Sequence, residues 1–124
     1  IKNTSCLISL LPATNNTKNL LGLTELNLLA KDSYFINVGR GSIVIEDELI
    51  YALKNRILTG AILDVFCKEP LKESSPLWKL DNIYITPHIA GITKATVYAA
   101  QLLRENFDLF HNNKKLINKV SKIK

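Results

Sequence analysis

Four short apolar runs, each followed by a polar turn, limit the folds that are open to this chain. The runs occupy residues 5–11, 34–38, 61–66 and 83–86, and segments with helical spacing or turn-forming residues separate them. Strands of a parallel sheet are near-continuous apolar runs, and each parallel pair needs a connection of a dozen or more residues. The sequence therefore predicts an α/β fold with a parallel sheet of about four strands.

Two other segments have the spacing of amphipathic helices. The first begins at Glu46, Asp47 and Glu48, whose negative charges match the positive end of a helix dipole. The second is long, begins near residue 93 or 96, and ends at Asn112-Asn113. Its apolar positions recur every three or four residues, which predicts one apolar face. These positions are Val97, Ala100, Leu103, Phe107 and Phe110.

Three polar residues follow the apolar runs at the points where strands should end. Arg40 comes after residues 34–38, Glu69 after residues 61–66, and His88 after residues 83–86. The carboxyl ends of parallel strands share one edge of the sheet, and ligands bind in the crevice at that edge. We therefore expect a cation, a carboxylate and an imidazole to meet at one site that can hold a carboxylate substrate and move a proton.

The glycines do not form the phosphate-binding loop of a dinucleotide site. Gly39 and Gly41 begin a GxGxxG pattern, but Val44 stands where the third glycine should be. We expect Gly39-Arg40-Gly41 to bend the chain sharply, because glycine accepts backbone angles that other residues avoid. A dinucleotide would therefore find only one wall of its site in this chain.

Four motifs occur in order at the predicted strand ends: INVGRG at 36–41, LDVF at 63–66, Glu69-Pro70, and TPHIAG at 86–91. Together they resemble the nucleotide-binding domain of the D-isomer-specific 2-hydroxyacid dehydrogenases. SPLW at 75–78 and HIAGIT at 88–93 are most similar to the glyoxylate/hydroxypyruvate reductase A branch. The resemblance implies an incomplete doubly wound, Rossmann-type sheet with flanking helices and a long C-terminal helix. Residues 1–112 would be the C-terminal portion of a dinucleotide-binding domain, and residues 113–124 a basic tail.

The resemblance also implies a role for each of the three polar residues. Arg40 would bind the carboxylate of a 2-oxo acid, since a planar guanidinium matches a carboxylate and stays charged. His88 would give a proton to the carbonyl oxygen, because imidazole titrates near neutral pH. Glu69 would hydrogen-bond the other ring nitrogen and stabilise the imidazolium.

A nicotinamide cofactor, NADP or NAD, is implied as well, and the branch resemblance favours NADPH. Asp64 and Ala90 match positions near the nicotinamide, while Leu11, Pro12 and Thr17 match the adenosine side. Asp64 also lies in an apolar run, so that its burial requires a partner or a ligand. The full set of matching positions is Leu11, Pro12, Thr17, Val38, Gly39, Arg40, Asp64, His88 and Ala90.

Composition argues against several other classes of protein. Cys6 and Cys67 form no CxxC pair, so no metal site is predicted, and unpaired thiols fit a reducing, cytoplasmic compartment. No apolar run approaches the roughly 20 residues of a membrane span. The net charge of +5 equals the five lysines of residues 114–124. We interpret these as a solvated end and not as a nucleic-acid surface.

The implied activity is NAD(P)H-dependent reduction of a small 2-oxo acid, of the glyoxylate or hydroxypyruvate type, to the 2-hydroxy acid. The chain starts at Ile1 and contains no Met. We therefore expect a fragment that does not turn over substrate by itself and that belongs to a homodimer when complete. The alternative is a non-catalytic nucleotide-fold module for interaction or dimerisation. The missing glycine loop favours the module, whereas the presence of Arg40, Glu69 and His88 favours the enzyme.

Overall fold

The computed structural model describes residues 1–91 and 95–119 and divides the chain into two compact units, Ile1–Gly91 and Ile92–Lys124. The first unit contains four strands: β1 (Cys6–Ser9), β2 (Tyr34–Asn37), β3 (Gly60–Leu63) and β4 (Ile83–Ile85). They form one sheet in the order β1-β2-β3-β4, and every neighbouring pair is parallel. The predicted α/β fold with a four-stranded parallel sheet is confirmed.

One face of the sheet carries the hydrophobic core of the first unit. Two helices, α1 (Leu23–Leu26) and α2 (Glu46–Lys54), connect β1 to β2 and β2 to β3. The apolar stripe of α2, predicted from the spacing of its leucines, packs into the core. The fully buried side chains of this core include Leu26, Phe35, Leu49, Leu53, Ala61, Leu63 and Leu77.

The opposite face of the sheet is open in this unit. Successive side chains of a strand point to opposite faces, so each buried position alternates with one on the second face. There Ile8 is 53% exposed, Tyr34 47%, Ile62 36% and Tyr84 76%. Both helices of this unit, α1 and α2, contribute side chains to the single core on the first face.

The second unit contains α3 (Ala95–His111), which confirms the predicted long C-terminal helix. Its apolar side chains Val97, Leu103, Phe107 and Phe110 are all more than half exposed. After α3 the chain turns back, since Asn106 hydrogen-bonds both the N–H and the carbonyl of Ile117. Within the described ranges, no helix combines the length and the apolar character that a membrane crossing requires. Part of the lysine-rich end, residues 120–124, lies outside the described residues.

Candidate active site

The turn after β2 presents Arg40 and is held by a buried amide. Asn37 is fully buried, and its side-chain nitrogen donates to the Arg40 carbonyl at 3.1 Å. Its side-chain oxygen accepts the Gly39 N–H at 3.2 Å. The Arg40 side chain is exposed and gives one N–H to the Gly39 carbonyl at 2.7 Å. The remaining guanidinium donors are therefore free of the turn itself.

The glycines of this turn are required by close packing of backbones. Neither Gly39 nor Gly41 has a positive φ, so the expectation that these two glycines provide unusual backbone angles is wrong. A Cβ on Gly41 would lie 2.0 Å from the Phe66 carbonyl carbon, and a Cβ on Gly39 would lie 2.7 Å from the Leu11 oxygen. Only a residue without a side chain lets the Arg40 turn lie against the segments that follow β1 and β3.

Glu69, in the segment after β3, links that segment to His88. One carboxylate oxygen accepts the Phe66 N–H at 2.9 Å, and the other lies 2.7 Å from His88 Nδ1. Hydrogen bonds from His88 and Phe66 hold the pKa of Glu69 below its ordinary value, against a smaller opposing effect of burial. The attraction of His88 and Arg40 acts in the same direction. Glu69 is therefore an ionised acceptor that orients the imidazole.

The turn after β4 carries His88 and is held by Asp64. His88 has φ +55°, a left-handed conformation that costs a non-glycine residue roughly 1 kcal/mol or more. Asp64 is 2% exposed and directly follows the end of β3. Its carboxylate accepts the Thr86 hydroxyl, the Ile89 N–H at 2.9 Å and the Ala90 N–H at 2.8 Å. The partner that the buried charge requires is thus the turn around His88.

The charge of Asp64 is stabilised by these contacts. Burial alone raises the pKa of this carboxyl, but the hydrogen bonds from Thr86, Ala90 and Ile89 outweigh burial. The pKa of Asp64 consequently lies below its ordinary value, with a further contribution from His88. Asp64 therefore holds the His88 turn as an anion at neutral pH.

Two adjoining cavities meet at the His88–Glu69 pair. The first, here called the Arg40 cavity, has a volume of about 280 Å³ and brings Arg40, Glu69 and His88 together. The second, the Trp78 cavity, has a volume of about 550 Å³. It is lined by Phe66, Glu69, Pro70, Leu71, Trp78, Ile85, Thr86, Pro87 and His88. The three polar residues that the sequence placed at strand ends do share one site.

The residues expected to bind the cofactor lie along the same sheet edge. Their contacts in the described residues are with other parts of the chain. In the loop after β1, Thr17 donates to the Pro12 carbonyl at 2.6 Å and accepts the Thr14 N–H at 2.9 Å. Leu11 is 40% exposed, and its backbone lies against Gly39. Val38 donates its N–H to the Ser9 carbonyl, while Ala90 donates to Asp64. The cofactor roles of these residues and of Asp64 stay predictions.

Sequence reasoning missed the residues that position the site. Asn37 had no assigned role, although a polar residue inside an apolar run is the same signal that singled out Asp64. Cys67 lines the Arg40 cavity, but burial and the nearby Glu46 raise the pKa of its thiol, which opposes a nucleophilic role. In the described part of the chain, no cluster of three or more His, Cys, Asp or Glu residues has the arrangement of a metal site.

Comparison with known proteins gives consistent matches. The sequence model of the D-isomer specific 2-hydroxyacid dehydrogenase NAD binding domain matches residues 1–90. Glyoxylate/hydroxypyruvate reductase A of Escherichia fergusonii is 46% identical over 94 residues, which are 76% of this chain and 30% of that protein. The corresponding protein of Enterobacter sp. is 44% identical over 104 residues, which are 84% of this chain and 33% of the relative. The chain thus spans about a third of the length of these curated relatives.

Solved structures agree with the sequence matches. A D-isomer specific 2-hydroxyacid dehydrogenase from Xanthobacter autotrophicus, in complex with NADPH and MES, is 38% identical with a TM-score of 0.88. The match covers 94% of this chain and 48% of that one. An NADPH-dependent glyoxylate/hydroxypyruvate reductase from Sinorhizobium meliloti, in complex with NADP and sulfate, is 31% identical with a TM-score of 0.89. That match covers 96% of this chain and 39% of the other.

Proposed function

The chain belongs to the D-isomer specific 2-hydroxyacid dehydrogenase family, and on that premise we propose that it carries the carbonyl-reducing site of an NAD(P)H-dependent 2-oxo acid reductase. The observation that carries the proposal is the meeting of Arg40, Glu69 and His88 around one cavity of about 280 Å³. The names of the relatives point to glyoxylate or hydroxypyruvate as the acid that is reduced.

Arg40 binds the carboxylate of the substrate in this proposal. Only one of its N–H groups is engaged within the turn, by the Gly39 carbonyl, and the side chain lines the Arg40 cavity. The remaining donors match the two oxygens of a carboxylate, and the guanidinium remains charged across the physiological pH range. The guanidinium of Arg40 then also polarises the carbonyl oxygen of the bound 2-oxo acid.

His88 donates the proton that the carbonyl oxygen gains on reduction. Its Nδ1 is engaged by Glu69 at 2.7 Å, so Nε2 is the ring nitrogen left to face a substrate. Because the pKa of Glu69 is lowered, its carboxylate is ionised near neutral pH and stabilises the imidazolium before the transfer. General acid catalysis of this kind is typically worth about 10²–10⁴-fold in rate.

The residues at the carboxyl edge fit one wall of a dinucleotide site. Leu11 and Pro12 are exposed beyond the end of β1, where they offer an apolar surface. Val38 and Gly39 directly follow β2, and Gly39 lies against the backbone of Leu11. We assign the nicotinamide end to the side of Arg40, Ala90 and His88, with NADPH favoured by the names of the solved relatives. When bound, the reduced nicotinamide supplies the hydride that reaches the carbonyl carbon.

The chain spans about a third of the relatives' length, and we propose that turnover needs the remaining parts as well. On this basis residues 1–112 are the C-terminal portion of a nucleotide-binding domain, and residues 113–124 a basic tail. The more than half-exposed Val97, Leu103 and Phe107 of α3 support packing against another surface, such as that of a second subunit in a homodimer. The same exposure supports the alternative of a non-catalytic interaction module.

Replacing His88 by Ala tests the proposal most directly. In the enzyme that contains this chain, we expect His88→Ala to lower kcat for NADPH oxidation with glyoxylate or hydroxypyruvate by about 10²–10⁴-fold. Arg40→Ala should instead act mainly on KM for the 2-oxo acid, because it removes the carboxylate partner. Steady-state kinetics at constant NADPH measure both effects.

Matched controls separate these roles from general damage. His111, the only other histidine, and Arg56, which pairs with exposed Asp81, are replaced by Ala in the same way. Both control variants should keep normal kinetics. Retention of near-normal kcat by His88→Ala would contradict the assignment of the proton donor, and the interaction module would then be favoured.

A further inference from the structure

We infer that Glu46, the first residue of α2, is a positioning residue of the site, because its carboxylate fixes the segment that presents Glu69 to His88. The inference rests on the proposed function, in which Glu69 orients the proton donor. It extends that function to a side chain that does not line the Arg40 cavity and that acts through the Cys67 backbone.

The segment that contains Glu69, here called the Glu69 segment, consists of residues 65–74 and has no helix or strand of its own. The chain leaves the core within it, since Phe66 is buried whereas residues 67–70 are exposed. In the described part of the chain, none of the backbone N–H groups of this segment donates to a backbone carbonyl. The position of Glu69 therefore depends on side-chain contacts.

Two carboxylates accept N–H groups near the start of the Glu69 segment. The Phe66 N–H donates to Glu69 itself at 2.9 Å, which folds the segment onto itself. The Cys67 N–H donates to Glu46 at 3.2 Å. Among the described residues, Glu46 is the only acceptor from outside the segment for any of its backbone N–H groups. Glu46 therefore ties the backbone beside Phe66, and with it the Glu69 carboxylate, to α2.

The thiol of Cys67 adds a contact on the other side of the same residue. Its sulfur lies 3.4 Å from the Gly41 carbonyl oxygen and 3.8 Å from that of Val44, so that Cys67 packs on the Arg40 turn. Burial and the neighbouring Glu46 raise the pKa of the thiol, which remains a hydrogen-bond donor near neutral pH. Cys67 thus joins α2, the Arg40 turn and the Glu69 segment.

The carboxylate of Glu46 has no competing ion pair. Glu46 is half-buried and lines a cavity of about 450 Å³ together with Lys68 and Lys72. Neither lysine forms an ion pair with it in the part of the chain that the structure describes. A hydrogen bond to an ionised acceptor is roughly twice as strong as a neutral one. The bond from the Cys67 N–H is therefore the main contact that Glu46→Ala would remove.

NMR of the imidazole protons tests the inference without any substrate. The chain has two histidines, and His111→Ala identifies the signals of His88. A proton on His88 Nδ1 that the Glu69 carboxylate holds exchanges slowly with water and gives a separate downfield resonance. We expect Glu46→Ala to weaken or abolish this resonance, as Glu69→Gln does.

Two further variants separate the hydrogen bond from the charge. Glu46→Gln should retain the resonance, because its amide oxygen can still accept the Cys67 N–H. Asp47→Ala is the matched control and should also retain it. This change removes an equal charge from the same turn of α2, and Asp47 makes no hydrogen bond among the described residues. Urea midpoints check that each variant is folded.

Kinetics of the enzyme that contains this chain give a second readout. We expect Glu46→Ala to lower kcat for NADPH oxidation by about 10- to 10²-fold, because a misplacement of about 1 Å can cost that much. KM for the 2-oxo acid should not change, and Glu46→Gln should recover most of kcat. An effect on KM instead of kcat, or an equal loss of kcat in Asp47→Ala, overturns the inference.

Glu69→Gln and His88→Ala distinguish the failure of this inference from that of the proposed function. A His88 resonance that is lost in Glu69→Gln but kept in Glu46→Ala overturns the inference and leaves the proposed function supported. A resonance that persists in Glu69→Gln overturns the role of Glu69 and the inference with it. Near-normal kcat in His88→Ala overturns the proposed function, while the NMR comparison still decides whether Glu46 positions the Glu69–His88 pair.

Discussion

The turn that carries Arg40 and the turn that carries His88 present their side chains to one cavity, but different forces hold them. The Arg40 turn packs closely against two other backbone segments, at Leu11 and at Phe66. Neither Gly39 nor Gly41 therefore has room for a Cβ. A buried neutral amide, that of Asn37, completes its hydrogen bonding. Packing and neutral hydrogen bonds hold this turn in one position.

The His88 turn has much less packing around it. A Cβ on Gly91 would meet no atom of the described residues within 4 Å, and the residues from Pro87 to Gly91 are exposed. Within this turn His88 has a left-handed backbone conformation. The carboxylate of Asp64 accepts hydrogen bonds from the N–H groups of Ile89 and Ala90. The negative charge of Asp64 therefore holds the His88 turn in position, whereas close packing of backbones holds the Arg40 turn.

This difference means that the two functional side chains respond differently to their surroundings. The position of Arg40 depends on shape, which pH and salt hardly change. The position of His88 depends on the ionised and almost completely buried carboxylate of Asp64. Protonation or replacement of Asp64 should therefore displace His88 before it displaces Arg40. We therefore expect the two roles proposed for these residues, carboxylate binding by Arg40 and proton transfer by His88, to be separable by conditions as well as by mutation.

The largest effect should come from adding a methyl group to the Arg40 turn. A Cβ in Gly41→Ala would lie 2.0 Å from the Phe66 carbonyl carbon and 2.1 Å from its oxygen, so backbone must move. We expect a loss of more than about 4 kcal/mol in the free energy of unfolding, measured by urea denaturation. Gly91→Ala, the same change in the His88 turn, should stay within about 0.5 kcal/mol. Similar values for the two variants would contradict the comparison.

The next effect separates charge from neutral hydrogen bonding. Asp64→Asn removes charge-assisted bonds and places an amide NH₂ against N–H donors, and should destabilise the protein by about 3 kcal/mol. Asn37→Ala removes two neutral bonds and should cost about 2 kcal/mol. Asp81→Asn, which breaks an exposed pair with Arg56, should cost at most about 1 kcal/mol. Thermal and urea unfolding of the three variants would test this order, and a cost for Asp64→Asn no larger than that for Asp81→Asn would refute it.

The smallest expected effect is a dependence of stability on acidity. The pKa values of Asp64 and Glu69 are lowered in the folded protein. Their contribution is therefore fully present above the ordinary carboxyl pKa of about 4 and is lost as pH falls through the lower folded-state values. Urea midpoints measured between neutral pH and about pH 3 should fall less steeply in Asp64→Asn than in the native protein. Asn37→Ala should keep the native slope, and an unchanged slope in Asp64→Asn would count against the charge-based turn.

Much of the fold could be predicted from local patterns. The four apolar runs and the spacing of the helical segments led to a parallel sheet and a long last helix, both of which the structure contains. Periodicity is a property of neighbouring residues, so it can be read without knowing which segments meet. The same reasoning placed Arg40, Glu69 and His88 at one sheet edge, because parallel strands put all their carboxyl ends on one side.

The sequence by itself determined that a buried Asp64 needs a partner, since an uncompensated charge is too costly to bury. Only the tertiary structure decided that this partner is the turn at Thr86–Ala90, more than 20 residues away. It also decided that Gly39 and Gly41 serve close packing and not backbone angles, and that one face of the sheet is open in the first unit. The physical reason is that contacts between distant segments depend on the register of the strands and on the path of each connection between them. These features bring together residues that no local sequence pattern relates.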